Sequence, residues 1–188
     1  MTRKGVWNLQ QVRDKYLQDL WEYEVNLFSW GNNEVGQLGL NQQAPSNNSK
    51  SSPVQIPGGN WQISGTGNNE TRNIANNDAA FGIKSDNTLW GWGDGGFGTQ
   101  ANNLSATNLA SRSSPTQIPG TTWSSIGGGY KHATAVKTDG TLWSWGYNYH
   151  GCLGLNEGGS SNHKSSPVQV GTDTNWSSVA SGNIYSYG

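Results

Sequence analysis

Leu142-Trp143-Ser144-Trp145-Gly146 repeats Leu89-Trp90-Gly91-Trp92-Gly93, which in turn repeats Leu27-Phe28-Ser29-Trp30-Gly31. The copies stand 62 and 53 positions apart. A second landmark, Ser52-Pro53-Val54-Gln55-Ile56, returns as Ser114-Pro115-Thr116-Gln117-Ile118 and as Ser166-Pro167-Val168-Gln169-Val170, at spacings of 62 and 52. Trp61, Trp123 and Trp176 form a third series, 62 and 53 apart. Landmarks of three kinds that keep nearly one period define a repeat array, the first thing to establish about a chain because it decides the whole architecture. The extra residues of the middle unit are expected in the polar stretch Ala101 to Ser113, where a surface loop tolerates insertion.

Within a unit the pattern is that of short strands broken by turn chemistry. Pro115 to Pro119 alternates apolar and polar residues, Trp123 to Ile126 forms a second strand, and Gly127-Gly128-Gly129 interrupts it. His132 to Lys137 forms a third, and Asp139-Gly140 is a two-residue hairpin signal leading into Thr141 to Gly146. Asp86-Asn87, which also accepts positive φ, takes that place one unit earlier. Four short strands in about 53 residues is the arithmetic of a propeller blade. Glycine after Trp92 and Trp145 fits close approach of neighbouring backbones. The fold class expected is all-β: about three blades of four antiparallel strands over residues 25–188, preceded by an arm over 1–24.

Composition agrees. Charged residues make up only 12% of the chain and glycine, serine and asparagine well over a third, which excludes a coiled coil or a charged helical bundle. Ten tryptophans, seven tyrosines and a net charge of -1 separate it from a disordered linker. With 11 basic and 12 acidic residues there is no basic stripe to neutralise phosphates, so nucleic acid is not an expected partner. No apolar run is long enough for a bilayer, and Met1 to Trp7 lacks the apolar core of a signal peptide, so no membrane is expected either. The single Cys152 reads as a small packing residue.

The motif Leu142-Trp143-Ser144-Trp145-Gly146 with Gly151-Cys152-Leu153-Gly154-Leu155, the Ser-Pro-Val-Gln series and the third tryptophan series resemble the repeat of the regulator of chromosome condensation family, over roughly residues 25–188. Gly36-Gln37-Leu38-Gly39-Leu40 supplies the same element in the first unit, whereas Phe97-Gly98-Thr99 departs from it, and that corner is expected to be remodelled. The resemblance implies a propeller, usually closed within one chain by more blades than this sequence holds. It implies no single activity, since the family spans a nucleotide exchange factor that binds chromatin, light sensors and an inhibitor of β-lactamase. No exchange-factor functional residue can be matched here.

Residues 184–188 align with the strand of residues 131–135, and the Leu-Trp-Ser-Trp-Gly strand that follows there has its counterpart at residues 27–31 instead. The blades are thus in permuted register. One reading is that other copies of the chain complete the ring through the chain ends, two copies giving six blades, because three blades do not close where 4 to 8 are usual. The other is that the sequence is a fragment of a longer propeller.

In the arm, Asn8 with Gln11 forms a capping box, and Leu9, Val12, Tyr16, Leu20 and Tyr23 fall at helical spacing. An amphipathic helix is expected, with Trp7, Val12, Tyr16, Leu20 and Trp21 as partner-binding anchors; packing on its own propeller is the competing reading. The opening Arg3 to Leu9 looks similar to starts of structural proteins in tailed phages.

Catalytic chemistry has little support. No Gly-x-Ser-x-Gly elbow accompanies His132, His150 or His163, and His132 sits in the repeat's strand pattern, a structural position. One cysteine without paired histidines makes no zinc site, Asp94-Gly95-Gly96 has too few carboxylates for calcium, and Gly127-Gly128-Gly129 has no following Lys-Ser/Thr to cradle phosphate. No enzyme activity, cofactor or metal is expected. Trp30, Trp61, Trp92, Trp123, Trp145 and Trp176 recur once per unit and read as blade packing; the Asn- and Ser-rich loops 41–50, 68–77, 102–112 and 156–164 are the candidate contact surfaces. The leading expectation is a non-enzymatic interaction protein of a tailed-phage virion, fastened to a virion protein by its helix, with host-surface glycan as a ligand for the loops. The alternative is a free oligomeric binding module, lectin-like or inhibitory, soluble in the cytoplasm.

Overall fold

The computed structural model describes residues 25–42, 48–62, 78–103, 111–159 and 161–188, and the backbone of 73–75. The arm with its expected helix and the anchors Trp7, Val12, Tyr16, Leu20 and Trp21 lies outside the described residues.

The described residues form antiparallel sheets and no α-helix; the one helical element is a 3-10 turn at Gly96–Gly98. Strands β3 (Asn73–Ala75), β4 (Ala79–Ile83), β5 (Leu89–Gly93) and β6 (Arg112–Gln117) make one four-stranded meander. β7 (Trp123–Gly128), β8 (His132–Lys137), β9 (Leu142–Gly146) and β10 (Lys164–Gln169) make a second. Before them β1 (Phe28–Gly31) pairs only with β2 (Lys50–Gln55), the counterpart of β5–β6; after them β11 (Ala180–Ser181) pairs only with β12 (Ser186–Tyr187), the counterpart of β7–β8. The register shows the correspondence: Gly128↔Ala133 in β7–β8 recurs 53 positions later as Ser181↔Ser186.

The hairpins follow from local chemistry. Asp139 Oδ1 accepts both the backbone N–H and the hydroxyl of Thr141, at 3.0 and 2.7 Å, and Gly140 takes φ +79. Asp86 treats Thr88 the same way, at 3.0 and 2.6 Å, with Asn87 at φ +61. Each threonine hydroxyl then accepts the indole N–H of Trp143 or Trp90 at 2.8 Å, which turns that ring over the hairpin. Lys137 lies 4.9 and 4.2 Å from the Trp123 and Trp143 rings, and Lys84 repeats the contact with Trp61 and Trp90 at 5.0 and 4.3 Å.

Trp61, Trp92, Trp123 and Trp145 are buried with Phe81, Ile83, Leu89, Ile118 and Ile126. Trp61 meets Trp92 edge-on at 5.7 Å and Trp123 meets Trp145 at 6.1 Å, geometry that adds to the area these rings remove from water. Units are locked to each other at the turns that follow β1 and β5. The Trp92 indole donates to Gln37 O at 3.0 Å and the Trp145 indole to Thr99 O at 2.9 Å, so each tryptophan is held by the turn of the preceding unit. That turn then rests on the last strand of the following sheet, through Asn41 N–H to Ser113 O at 2.6 Å and Asn103 N–H to Ser165 O at 2.8 Å.

Three expectations are corrected. The extra residues of the middle unit do not lie between Ala101 and Ser113: Trp61 pairs with Lys84 and Asn73 with Gly82, whereas Trp123 pairs with Lys137 and Ile126 with Ala135, so the insertion falls between Gln62 and Asn73. The corner carrying Phe97-Gly98-Thr99 is changed only locally, Phe97 taking φ +58 where its counterparts Val35 and His150 do not, and its double turn is kept. Its turns Gly98 N–H to Gly95 O and Ala101 N–H to Gly98 O match those of Gly36 and Gly39 and of Gly151 and Gly154. Ala101 takes φ +49 where the other two have glycine at +69 and +68, because the buried corner over-determines it. Finally, Trp30 does not pack within the blade array, being 61% exposed.

Candidate functional site

The rim between the two complete sheets carries an aromatic cluster that no single unit contains. Tyr147 stacks on His163 at 5.0 Å and on Tyr149 at 6.3 Å, with interplanar angles of 19° and 18°. Phe97, from the preceding corner, stands edge-on to Tyr147 at 5.1 Å and to His163 at 5.0 Å. His150 stands edge-on to Tyr149 at 5.0 Å. Lys131 lies 5.3 Å above the Phe97 ring and 3.4 Å from the Asp94 carboxylate. Tyr149 and Tyr130 are exposed, and beside them Tyr149, His150, Asn156 and Glu157 border an open depression of about 650 Å³. His163 Nδ1 accepts the Asn148 N–H at 3.0 Å, which fixes the ring, and burial lowers its pKa from the ordinary value, so it is a neutral, oriented imidazole at pH 7. Flat rings, hydroxyls and lysines already paired, Lys131 with Asp94 and Lys164 with Glu157, can stack on and hydrogen-bond to an uncharged polar ligand; they do not build an anion site.

Behind the rim, His132 Nε2 lies 2.9 Å from Ser186 Oγ, a pair that could be read as nucleophile and base. The protonation pattern argues otherwise. The Ser186 hydroxyl has a second acceptor in Cys152 O at 3.1 Å, and when it donates there Nε2 is the donor in the His-Ser bond. Burial pushes the His132 pKa down to about 4 against the Tyr185 backbone, which favours the charged form. The structural position expected for His132 is where it sits. Cys152 donates its thiol to Tyr147 O at 2.8 Å, and burial raises its pKa away from the reactive thiolate. Among the described residues no group of His, Cys, Asp and Glu could hold a metal, and no helix is long and apolar enough to cross a membrane.

Of the loops expected to make contacts, 156–164 borders the rim, whereas most of 102–112 and of 68–77 lies outside the described residues. The aromatic cluster itself was missed. Its signal, Tyr147-Asn148-Tyr149-His150 directly after Trp145-Gly146, is local, but Phe97 joins it only through the docking of one unit on the next.

Meanders of antiparallel strands joined by a tryptophan that each unit seats in its neighbour define a propeller of tandem repeats. The model of the regulator of chromosome condensation (RCC1) repeat matches residues 26–64 and 139–187, and a second model of that repeat matches 123–152. Together they cover more than half of the chain, which belongs to the RCC1 repeat family. Prp20p from Saccharomyces cerevisiae, in a structure described with that protein's binding to Gsp1p and histones, superposes with a TM-score of 0.65 at 18% identity over 86% of this chain and 38% of that one. Yeast RCC1 (Prp20) in complex with Kap60 gives 0.65 at 21% identity, over 83% and 36%. The chain therefore spans little more than a third of the length of these structures, and the likeness is one of fold.

Proposed function

We propose that this chain is a non-enzymatic interaction module that works by presenting its propeller rim to a partner. The observation that carries the reading is the cluster of Phe97, Tyr147, Tyr149, His150 and His163, in which exposed Tyr149 and His150 stand on half-buried rings, whereas Trp92, Trp123 and Trp145 are buried. A host-surface glycan fits it: sugar C–H faces stack on tyrosine and histidine rings, and the neighbouring Asn156 and Glu157 can take hydroxyls. The setting proposed is a tailed-phage particle, with residues 1–24 as the attachment arm; what supports it is the similarity of Arg3 to Leu9 to starts of phage structural proteins and the apolar stripe through Val12, Tyr16 and Leu20. A free lectin-like module is the second reading, favoured because Phe97, Tyr147, Tyr149, His150 and His163 all belong to the repeats and none to the arm.

Two experiments test this. A glycan array probed with the intact protein is expected to show binding that Tyr149→Ala reduces without lowering the melting temperature, since Tyr149 is exposed; an array blank for both proteins refutes the glycan reading. Removing residues 1–24 is expected to leave glycan binding intact and to abolish incorporation into particles. Incorporation at wild-type level without the arm refutes the anchoring role and leaves the free module.

A further inference from the structure

Three features on one side of the array repeat those of the inner units but lack their partners. A Cβ on Gly93 would lie 2.3 Å from Asp78 O, and one on Gly146 2.5 Å from Lys131 O; Gly31 has the same backbone, φ +107 beside +94 and +99, yet among the described residues it meets nothing within 4 Å. Trp30 is 61% exposed, against 2% for Trp92 and 0% for Trp145, and among the described residues its indole has no acceptor. Among the described residues the outer side of Lys50–Gln55 receives no turn, whereas Ser113 and Ser165, the counterparts of Ser51, accept the N–H groups of Asn41 and Asn103.

The opposite side of the array lacks the complementary halves. The corner at 148–156 forms the same double turn, Gly151 N–H to Asn148 O and Gly154 N–H to Gly151 O at 3.1 Å each. Among the described residues its Gly151 faces no strand, with Glu157 O at 3.9 Å the one atom near a Cβ, whereas Gly36 and Gly98 would touch Ser113 and Ser165 Cα at 2.7 and 2.5 Å. Next to this corner is a groove of about 370 Å³ walled by Cys152, Gly154, Val170, Trp176 and Ser186. Those positions are the counterparts of Gln37, Gly39, Ile56, Trp61 and Ala80, the residues that surround the Trp92 indole. The groove has the walls of a tryptophan seat.

We propose that this seat takes Trp30 of a second copy of the chain. β1 of one copy pairs antiparallel with β12 of the other, with Trp30 opposite Ser186 and Ser29 opposite Tyr187, the register that β4–β5 and β8–β9 keep. The Trp30 indole donates to Cys152 O, Gly31 lies against the backbone before Tyr185, and Asn156 N–H reaches Ser51 O. Strand addition of this kind satisfies two open edges at once. The contact is heterologous and closes by rotation: the described strands of each copy make two whole blades and two halves, so two copies joined at both faces hold six blades among those strands, inside the usual range of 4 to 8. The inference stands whether or not the rim takes a ligand.

The test is disulfide trapping between two different variants of the full chain, Ser29→Cys and Tyr187→Cys, each also carrying Cys152→Ser. Opposed antiparallel residues have Cα atoms about 4.5–5.5 Å apart, within the range a disulfide spans. Mixed and oxidised, they are expected to give a species of twice 20.2 kDa holding one of each variant, while neither variant alone does so. Adding Trp30→Ala to the Ser29→Cys chain is expected to abolish that species and to leave the melting temperature of the dilute chain unchanged, because Trp30 is exposed there. Overturning results are a mixed species no more abundant than the self-linked ones, trapping insensitive to Trp30→Ala, a Ser29→Cys/Tyr187→Cys chain that links within itself, or a native mass that stays monomeric at every concentration.

Discussion

Gly146→Ala and Gly31→Ala are the same change at the same point of the repeat, in one case with a neighbour and in the other without. At Gly146 the new methyl pays twice. Holding alanine at φ +99 costs of order 1–3 kcal/mol in backbone strain. The Cβ also lands 2.5 Å from Lys131 O and 2.8 Å from His132 Cα, backbone atoms that cannot swing aside, and forced overpacking of this kind costs typically about 1–3 kcal/mol. The sum is about 4 kcal/mol; at roughly 2–4 °C per kcal/mol for a chain of this size, the melting temperature falls by of order 10 °C. Gly31→Ala costs the strain alone, a fall of about 5 °C, because among the described residues nothing lies within 4 Å of its Cβ. Thermal unfolding followed by tryptophan fluorescence in dilute solution measures both. Gly93→Ala, 2.3 Å from Asp78 O, should behave like Gly146→Ala. Equal losses at all three positions, or the largest at Gly31, would refute the claim that a neighbouring strand, and not the φ value alone, makes the glycine necessary.

Three further outcomes follow from the same contacts. His132 has its folded pKa depressed from 6.5 to about 4 by burial, so the neutral ring contributes stability that is present above about pH 6.5 and lost as pH falls toward 4; the loss is about 3 kcal/mol, read from urea midpoints at several pH values, and this pH-dependent part should vanish in His132→Gln whatever that variant costs at pH 7. Trp145→Phe removes the donor to Thr99 O and leaves that carbonyl buried, a cost of about 1–3 kcal/mol before any loss of packing, whereas Trp30→Phe in dilute solution should stay within about 0.5 kcal/mol; equal effects in denaturant titrations would refute the interlock. Asn148→Ala loses the bonds from Leu153 N–H at 3.1 Å and to Glu157 O at 2.9 Å, and chemical denaturation should show a deficit of about 2–4 kcal/mol.

Most of the architecture was legible because its causes are local. Asp139-Gly140 and Asp86-Asn87 dictate their hairpins from within a few residues, and the tryptophan spacing carries the unit length. The insertion was misplaced because each landmark series was compared only with itself, which yields a period and no position. Comparing different landmarks locates it: Trp61 to Trp92 is 31 positions, Trp123 to Trp145 only 22. The middle corner was misjudged because its compensation is tertiary. Ser29 and Ser144 hydroxyls donate to Leu38 O and Leu153 O at 2.7 Å in the outer units. The middle unit has Gly91 there instead, and Gln100 fills the space, its amide donating to Trp92 O at 2.8 Å and Asp94 O at 3.1 Å. Two substitutions nine residues apart cancel, and neither looks conservative alone. The rim escaped notice for a related reason: Phe97 and His163 come together only after two units have docked.

Arrays of this kind draw their stability from nearest-neighbour interfaces, and here every interface uses one set of contacts: a seated tryptophan, a glycine against a strand, and a corner on the next sheet. The side carrying Trp30 and the side carrying the Cys152 groove are the two halves of one more interface, so joining two copies requires no chemistry that the fold does not already use. Its energetics favour closure over chains of any length. A single contact, with a few kcal/mol from the indole and about 1 kcal/mol from its hydrogen bond, falls short of the roughly 8 kcal/mol that micromolar association requires. In a closed pair the second contact forms within the complex, at the high effective concentration set by the first, and pays no second loss of translational freedom. Singly joined pairs are therefore scarce at every concentration, and dilution should convert closed pairs to monomers in one step. Sedimentation that instead shows a ladder of trimers and longer species would mean that the rotation per unit does not bring the two faces together.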